Sequence, residues 1–197
     1  GALSLKFLGT GTSVGVPVIG CGCDVCSSAN PMNKRTRASV VVTAGEYSLL
    51  VDTGPDLRAQ ALREGLTQVD AVLYTHAHMD HVVGFDDLRA FCWRRTQPLP
   101  IHASASTLAD LKRMFAWAFA PENRYPGYVK PAAVVIDGPF HYGGLRVTPL
   151  PVNHGCDARC FSITASAACP HWRNTGRPAR RGESSGVQPQ MKRATAM

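Results

Sequence analysis

Within seven residues, Thr75-His76-Ala77-His78-Met79-Asp80-His81, the chain gathers three imidazoles and a carboxylate directly after the apolar run Ala71-Val72-Leu73-Tyr74. The apolar run reads as a buried strand, and such a strand delivers the chain to a sheet edge. A tight loop there turns His76 and His78 to one side while Asp80 and His81 project to another, an arrangement that can hold two metal ions close together. The competing reading is a histidine-rich surface loop, but clustered His and Asp after a buried strand rarely serve packing. Imidazole suits zinc, iron and manganese, and a carboxylate suits the harder of these. The mixed set therefore points to a first-row divalent ion rather than calcium or magnesium. Two such ions about 3.5 to 4 Å apart can share a bridging hydroxide, lower its pKa and stabilise both oxygens of an in-line displacement. The chemistry expected is hydrolysis, with Asp80 as the catalytic carboxylate.

These residues resemble the metallo-β-lactamase superfamily of metal-dependent hydrolases, whose signature His-x-His-x-Asp-His is met at His76, His78, Asp80 and His81. Leu8-Gly9-Thr10-Gly11-Thr12 is similar to the family's first strand and glycine turn. Val51-Asp52-Thr53-Gly54 is similar to its aspartate after a later strand, and Pro151-Val152-Asn153-His154-Gly155 to a strand end with a third histidine. The likeness runs from Leu3 to Gly155. It implies that His76, His78 and His154 hold one metal, that Asp80 and His81 help hold a second, and that Asp52 braces the histidine loop without being a ligand. It also implies an α/β fold, the four-layer αββα sandwich of two face-to-face sheets with helices outside.

Cys21, Cys23 and Cys26 lie on the glycine-bearing loop Gly20-Cys21-Gly22-Cys23-Asp24-Val25-Cys26. Three closely spaced thiols cannot all pair as disulfides, and they suit a tetrahedral structural zinc that needs one more ligand. The frame Gly15-Val16-Pro17-Val18-Ile19-Gly20-Cys21-Gly22-Cys23 is similar to the cyclic phosphodiesterases of the carbon-phosphorus lyase pathway and, less closely, to coenzyme pyrroloquinoline quinone biosynthesis protein B. Gly84-Phe85-Asp86-Asp87-Leu88-Arg89 fits the phosphodiesterase group better. The expected activity is thus hydrolysis of a small, cyclic phosphodiester by two divalent ions, zinc or manganese. A tRNA 3′-processing nuclease and a carbonyl ester or thioester hydrolase are the enzymatic rivals, and a catalytically impaired metal-binding fragment is the third.

The chain has 197 residues, enough for one buried core, and a formal net charge of +7. Of that charge, +5 comes from Cys156 onward, where arginines are scattered without interleaved aromatics. The basicity therefore belongs to the tail and gives no reason to expect nucleic acid at the metal site. No apolar run is long enough to span a membrane. The cysteine usage suits a reducing compartment, so a cytoplasmic protein is expected, with a small molecule as its partner and a homodimer allowed.

Leu3, Leu5 and Phe7 alternate with polar residues as a half-buried strand, and 39–43 with 47–51 form a hairpin. Pro55 to Glu64 predicts a helix burying Leu57, Ala61 and Leu62. Helices are expected at 85–93 and 106–120, and strands at 99–102, 133–136, 140–142, 145–150 and 160–165. Ser104 and Ser106, near His102, end a strand and cap a helix rather than serve a triad. Asp86 and Asp87 begin a helix, and His141 lies on a surface strand. Residues 122–131, rich in turn formers, are expected to form a loop over the mouth of the site.

The resemblance requires two further ligands, a bridging aspartate and a final histidine. Asp157 and His171 are the weak candidates for them. Beyond residue 165 the large apolar residues nearly vanish, which predicts a hydrolase domain over 1–165 and a basic, disordered tail over 166–197. The same loss of pattern predicts that the chain is a truncated or frame-slipped version of a longer hydrolase.

Overall fold

The computed structural model describes residues 3–122, 125, 127–155, 157–165 and 193–196, with the backbone alone at 157 and 193–196. Six strands form the first sheet in sequence order: β1 (Leu3–Gly9), β2 (Ser39–Ala44), β3 (Tyr47–Val51), β4 (Ala71–Leu73), β5 (Leu99–Ala103) and β6 (Pro131–Val135). The first three are antiparallel, and β3 to β6 run parallel. The second sheet is antiparallel throughout, in the order β10-β9-β8-β7, from β7 (Phe140–Tyr142), β8 (Leu145–Asn153), β9 (Asp157–Ala165) and β10 (Arg193–Ala196). The helices are α1 (Asp24–Ser27), α2 (Leu57–Arg63), α3 (Met79–Val82), α4 (Arg89–Cys92), α5 (Ala105–Met114) and α6 (Ala116–Phe119).

Alternation along the central strands explains the layering. Val41, Leu50, Val72 and Ile101 face a core shared with Leu57, Phe85, Leu88, Leu108 and Leu111 from the helical side. Their neighbours Val40, Val42, Leu49, Val51, Ala71 and Leu73 face the other way, against Tyr142, Leu145, Val147, Phe161 and Ile163 of the second sheet. Strands buried on both faces read as unbroken apolar runs, as Ala71 to Tyr74 does. Helices, sheet and sheet are three layers of the αββα sandwich. Among the described residues no helix is long and apolar enough to cross a membrane.

The structure departs from the sequence expectations in several places. A register shift between Phe7 and Gly9 leaves Phe7 59% exposed and turns Leu8 inward. In α2 the buried residues are Leu57 and Gln60, while Leu62 is 67% exposed. The Gln60 amide donates to the Arg37 carbonyl at 2.9 Å and to Thr36 Oγ1 at 3.0 Å, and these bonds hold that face inward. The helix expected over 85–93 is a 3-10 helix, Val83–Leu88, followed by α4. Gly84 there lies so close to the Gly54 carbonyl that no Cβ would fit. The helix expected over 106–120 breaks at Phe115, which stacks on Phe85 at 4.5 Å. Ser104 caps α5 as expected, accepting from the Thr107 N–H at 3.2 Å. Of the loop expected over the mouth of the site, 123, 124 and 126 lie outside the described residues, and the described end of the turn lies away from the histidine loop. The turn ends at Lys130, whose carbonyl accepts from the Leu99 N–H at 2.7 Å, and it enters parallel β6 at the opposite end of the sheet. Within the basic tail, β10 pairs with β9, and 166–192 lie outside the described residues.

Candidate metal centre

The site is built where β3 and β4 end side by side. Asp52 follows β3 with a positive φ of 60°, a conformation that Asp tolerates better than most residues. Its carboxylate, 2% exposed, points beneath the histidine loop. Oδ1 accepts from the Thr75 N–H at 2.8 Å, and Oδ2 accepts from Thr75 Oγ1 and from His81 Nδ1, each at 2.7 Å. The Thr53 N–H donates to the His81 carbonyl at 2.7 Å, and the Gly84 N–H to the Thr53 carbonyl at 2.9 Å. Gly54 lies under the Asp80 carbonyl, which would collide with a side chain. The segment 52–54 therefore grips the histidine loop at both of its ends.

The second sheet supplies the distant histidine. The Arg159 N–H of β9 donates to the Thr75 carbonyl at 2.9 Å, and β8 runs in full register beside β9 out to Asn153. His154 follows immediately. The ligand atoms of His76, His78 and His154 all lie within 4.8 Å of one another. The ring of His76 is 4.4 Å from His78, 4.9 Å from His154 and 4.2 Å from His81. Asp80 Oδ2 is 3.2 Å from His81 Nε2. The structure thus brings His76, His78 and His154 into one donor group, with the His81 ring beside His76 and Asp80 beside His81. The side chain of Asp157 and the whole of His171 lie outside the described residues.

The electrostatics suit a cation. Burial, and then charge on His81, His78 and His154, push His76 down to about 4, so it is a neutral donor at physiological pH. Its Nε2 is buried and has no hydrogen-bond partner. Burial also opposes charge on His81. The bond to Asp52 and the charges of Asp52 and Asp80 outweigh it and hold His81 above its ordinary value. Zinc–nitrogen bonds of about 2.1 Å in a tetrahedral site place ligand atoms about 3.4 Å apart. His78 and His154 are exposed and can turn to reach that spacing. An orphaned imidazole nitrogen inside a converging donor set is what a first-row divalent ion requires.

Cys21, Cys23 and Cys26 form the other cluster, with their sulfurs within 4.8 Å of one another. The Cys26 N–H, and then the thiols of Cys21 and Cys26, draw Cys23 down to about 7, which favours a thiolate ligand. The sequence reading gave no role to two residues. Thr75 bonds both Asp52 and His76, and its signal was a hydroxyl directly before the first histidine. His102 is buried on β5, stacked on Phe140 at 4.8 Å, and its signal was a histidine inside an apolar strand. His141 lies exposed on β7.

A family model described as the beta-lactamase superfamily domain matches residues 47–172. The chain belongs to this superfamily. Its layered sheets are those of the metallo-β-lactamase fold, and its histidine cluster offers donors that could hold a divalent metal. A crystal structure of a new diphosphatase from the PhnP family matches with a TM-score of 0.72 and 37% identity, over 82% of this chain and 62% of that one. Zinc-bound PqqB from Methylobacterium extorquens matches with a TM-score of 0.62 and 26% identity, over 82% and 61% of the two chains. The octanoyltransferase of Porphyromonas gingivalis is 44% identical over 152 residues, which make up 76% of this chain and 30% of that protein. The chain therefore spans less than two thirds of each of these superfamily relatives.

Proposed function

We propose that residues 1–165 form a metal-dependent hydrolase that cleaves a small phosphodiester, cyclic substrates included. The observation that carries this reading is the convergence of His76, His78 and His154 from two sheets to within 4.8 Å. In this reading those three hold one divalent ion, Asp80 and His81 help hold a second, and Cys21, Cys23 and Cys26 hold a structural zinc. Zinc and manganese both accept the imidazole and carboxylate donors. Ions bound there would neutralise charge on the phosphoryl oxygens and acidify water.

The chain's own residues do the rest. Asp52 fixes the histidine loop before substrate arrives, so little reorganisation accompanies binding. Asp80, tethered by its contact with His81 and partly exposed, accepts the proton of the attacking water while the ester oxygen leaves. The PhnP-family diphosphatase supports phosphorus rather than carbonyl carbon as the centre attacked. The octanoyltransferase name describes a protein of which 70% has no counterpart in the match, so it is no guide to the substrate here. The three closely spaced thiols of Cys21, Cys23 and Cys26 suit a reducing, cytoplasmic setting better than a disulfide framework.

The test is hydrolysis of bis-p-nitrophenyl phosphate and of a cyclic phosphodiester by metal-loaded protein, with RNA 3′ ends, a thioester and a diphosphate in parallel. Turnover of the phosphodiesters that His78→Ala abolishes supports the proposal. Metal binding without turnover of any substrate supports the impaired fragment instead, and turnover confined to RNA or thioester moves the assignment to those classes.

A further inference from the structure

Thr75 Oγ1 lies 2.7 Å from Asp52 Oδ2 and 2.9 Å from His76 Nδ1. A hydroxyl has one proton to give and lone pairs to receive with. Asp52 is fixed as an acceptor on both oxygens, because Oδ1 takes the Thr75 N–H and Oδ2 also takes His81 Nδ1. The hydroxyl proton therefore goes to Asp52, and His76 Nδ1 meets an oxygen lone pair. Only an Nδ1 that carries its own hydrogen can bond to it.

We propose that Thr75 is a positioning residue whose hydroxyl, oriented by Asp52, locks His76 in the Nδ1–H tautomer and so presents a bare Nε2 to a divalent cation. A neutral imidazole has one donor and one acceptor nitrogen, and here the acceptor is the buried Nε2 that has no partner. The opposite tautomer would set two lone pairs against each other at 2.9 Å and bury a proton among the rings of His78, His81 and His154. Thr75 also closes the strand end through its N–H, and any residue supplies that bond. The hydroxyl is therefore the separable part, and valine of the same shape removes it alone.

The consequence for metal binding rests on the function proposed above, whereas the tautomer does not. The experiment compares the wild type with Thr75→Val and Thr75→Ser by two readouts. Imidazole ¹⁵N shifts of the metal-free proteins report the His76 tautomer. Titration with cobalt(II) reports affinity, because its thiolate charge-transfer band distinguishes ions on the cysteine loop from ions on the imidazoles. The wild type and Thr75→Ser are expected to show Nδ1–H and to bind cobalt alike. Thr75→Val is expected to lose the single tautomer and about 10- to 100-fold in imidazole-site affinity, the usual effect of removing a group that orients a ligand. Wild-type His76 carrying its proton on Nε2, or a folded Thr75→Val with unchanged tautomer and affinity, would overturn the proposal. If Thr75→Val does not fold, the wild-type and Thr75→Ser spectra decide the tautomer. A wild type that shows Nδ1–H but takes no cobalt at the imidazoles would leave the lock standing and defeat the metal-site assignment.

Discussion

Replacing Asp52 by Asn isolates the grip on the histidine loop from shape and backbone. Asparagine has the same outline and tolerates the φ of 60°, so neither strain nor a cavity enters. The amide has one accepting atom where the carboxylate has two, and three donors converge on it: the Thr75 N–H, Thr75 Oγ1 and His81 Nδ1. With the amide oxygen turned toward Thr75 Oγ1 and His81, its NH₂ faces the Thr75 N–H and leaves a buried donor unpaired, at about 1–3 kcal/mol. The two retained bonds lose their charge assistance, at about 1 kcal/mol each. Full burial of the group means solvent does not dilute these terms. The expected loss is about 3–5 kcal/mol, to be read from urea unfolding in the presence of a chelator. A loss below about 1 kcal/mol with an unchanged urea slope would refute the idea that Asp52 holds the loop.

Three further outcomes are expected. Burial lowers His102 from its ordinary value to about 4, so the folded protein refuses a proton that the unfolded chain accepts. Stability is complete above about pH 6.5, falls between pH 6.5 and 4 by up to about 3 kcal/mol, and falls no further from this group below that range. Urea midpoints across pH should show the slope, and His102→Phe should remove this group's share of it while the share of His76 remains. Gly54→Ala should cost about 1–3 kcal/mol or more and loosen metal binding, because the new Cβ strikes the Asp80 carbonyl; calorimetry with and without zinc checks both effects. Cys23→Ser should remove one zinc equivalent by elemental analysis and leave the imidazole ions in place.

Most of the site was legible because its chemistry is local in sequence. His76, His78, Asp80 and His81 share one loop, and an apolar run before that loop announces the buried strand. His154 was found from a likeness of strand ends. What brings it to His76 is pairing between β8 and β9 and a bond from Arg159 to Thr75, and such long-range pairing leaves no periodic trace. The errors share a cause. Gln60 replaces Leu62 on the buried face of α2 because an amide there finds two partners on 36–37, and hydrophobicity alone cannot register that. The break at Phe115 is likewise set by what its ring packs against, and intrinsic propensity is overridden there; the register shift at Phe7 breaks the two-residue alternation that the sequence shows. Composition reports the turn before β6 but not the end of the sheet to which it belongs.

Crystals grown with zinc or manganese and measured at the metal's absorption edge test the central claim most directly. The account predicts an anomalous peak bonded at about 2.0–2.2 Å to nitrogens of His76, His78 and His154, with a second peak beside Asp80 and His81. Crystals with metal on the cysteine loop and none between the three imidazoles would contradict it.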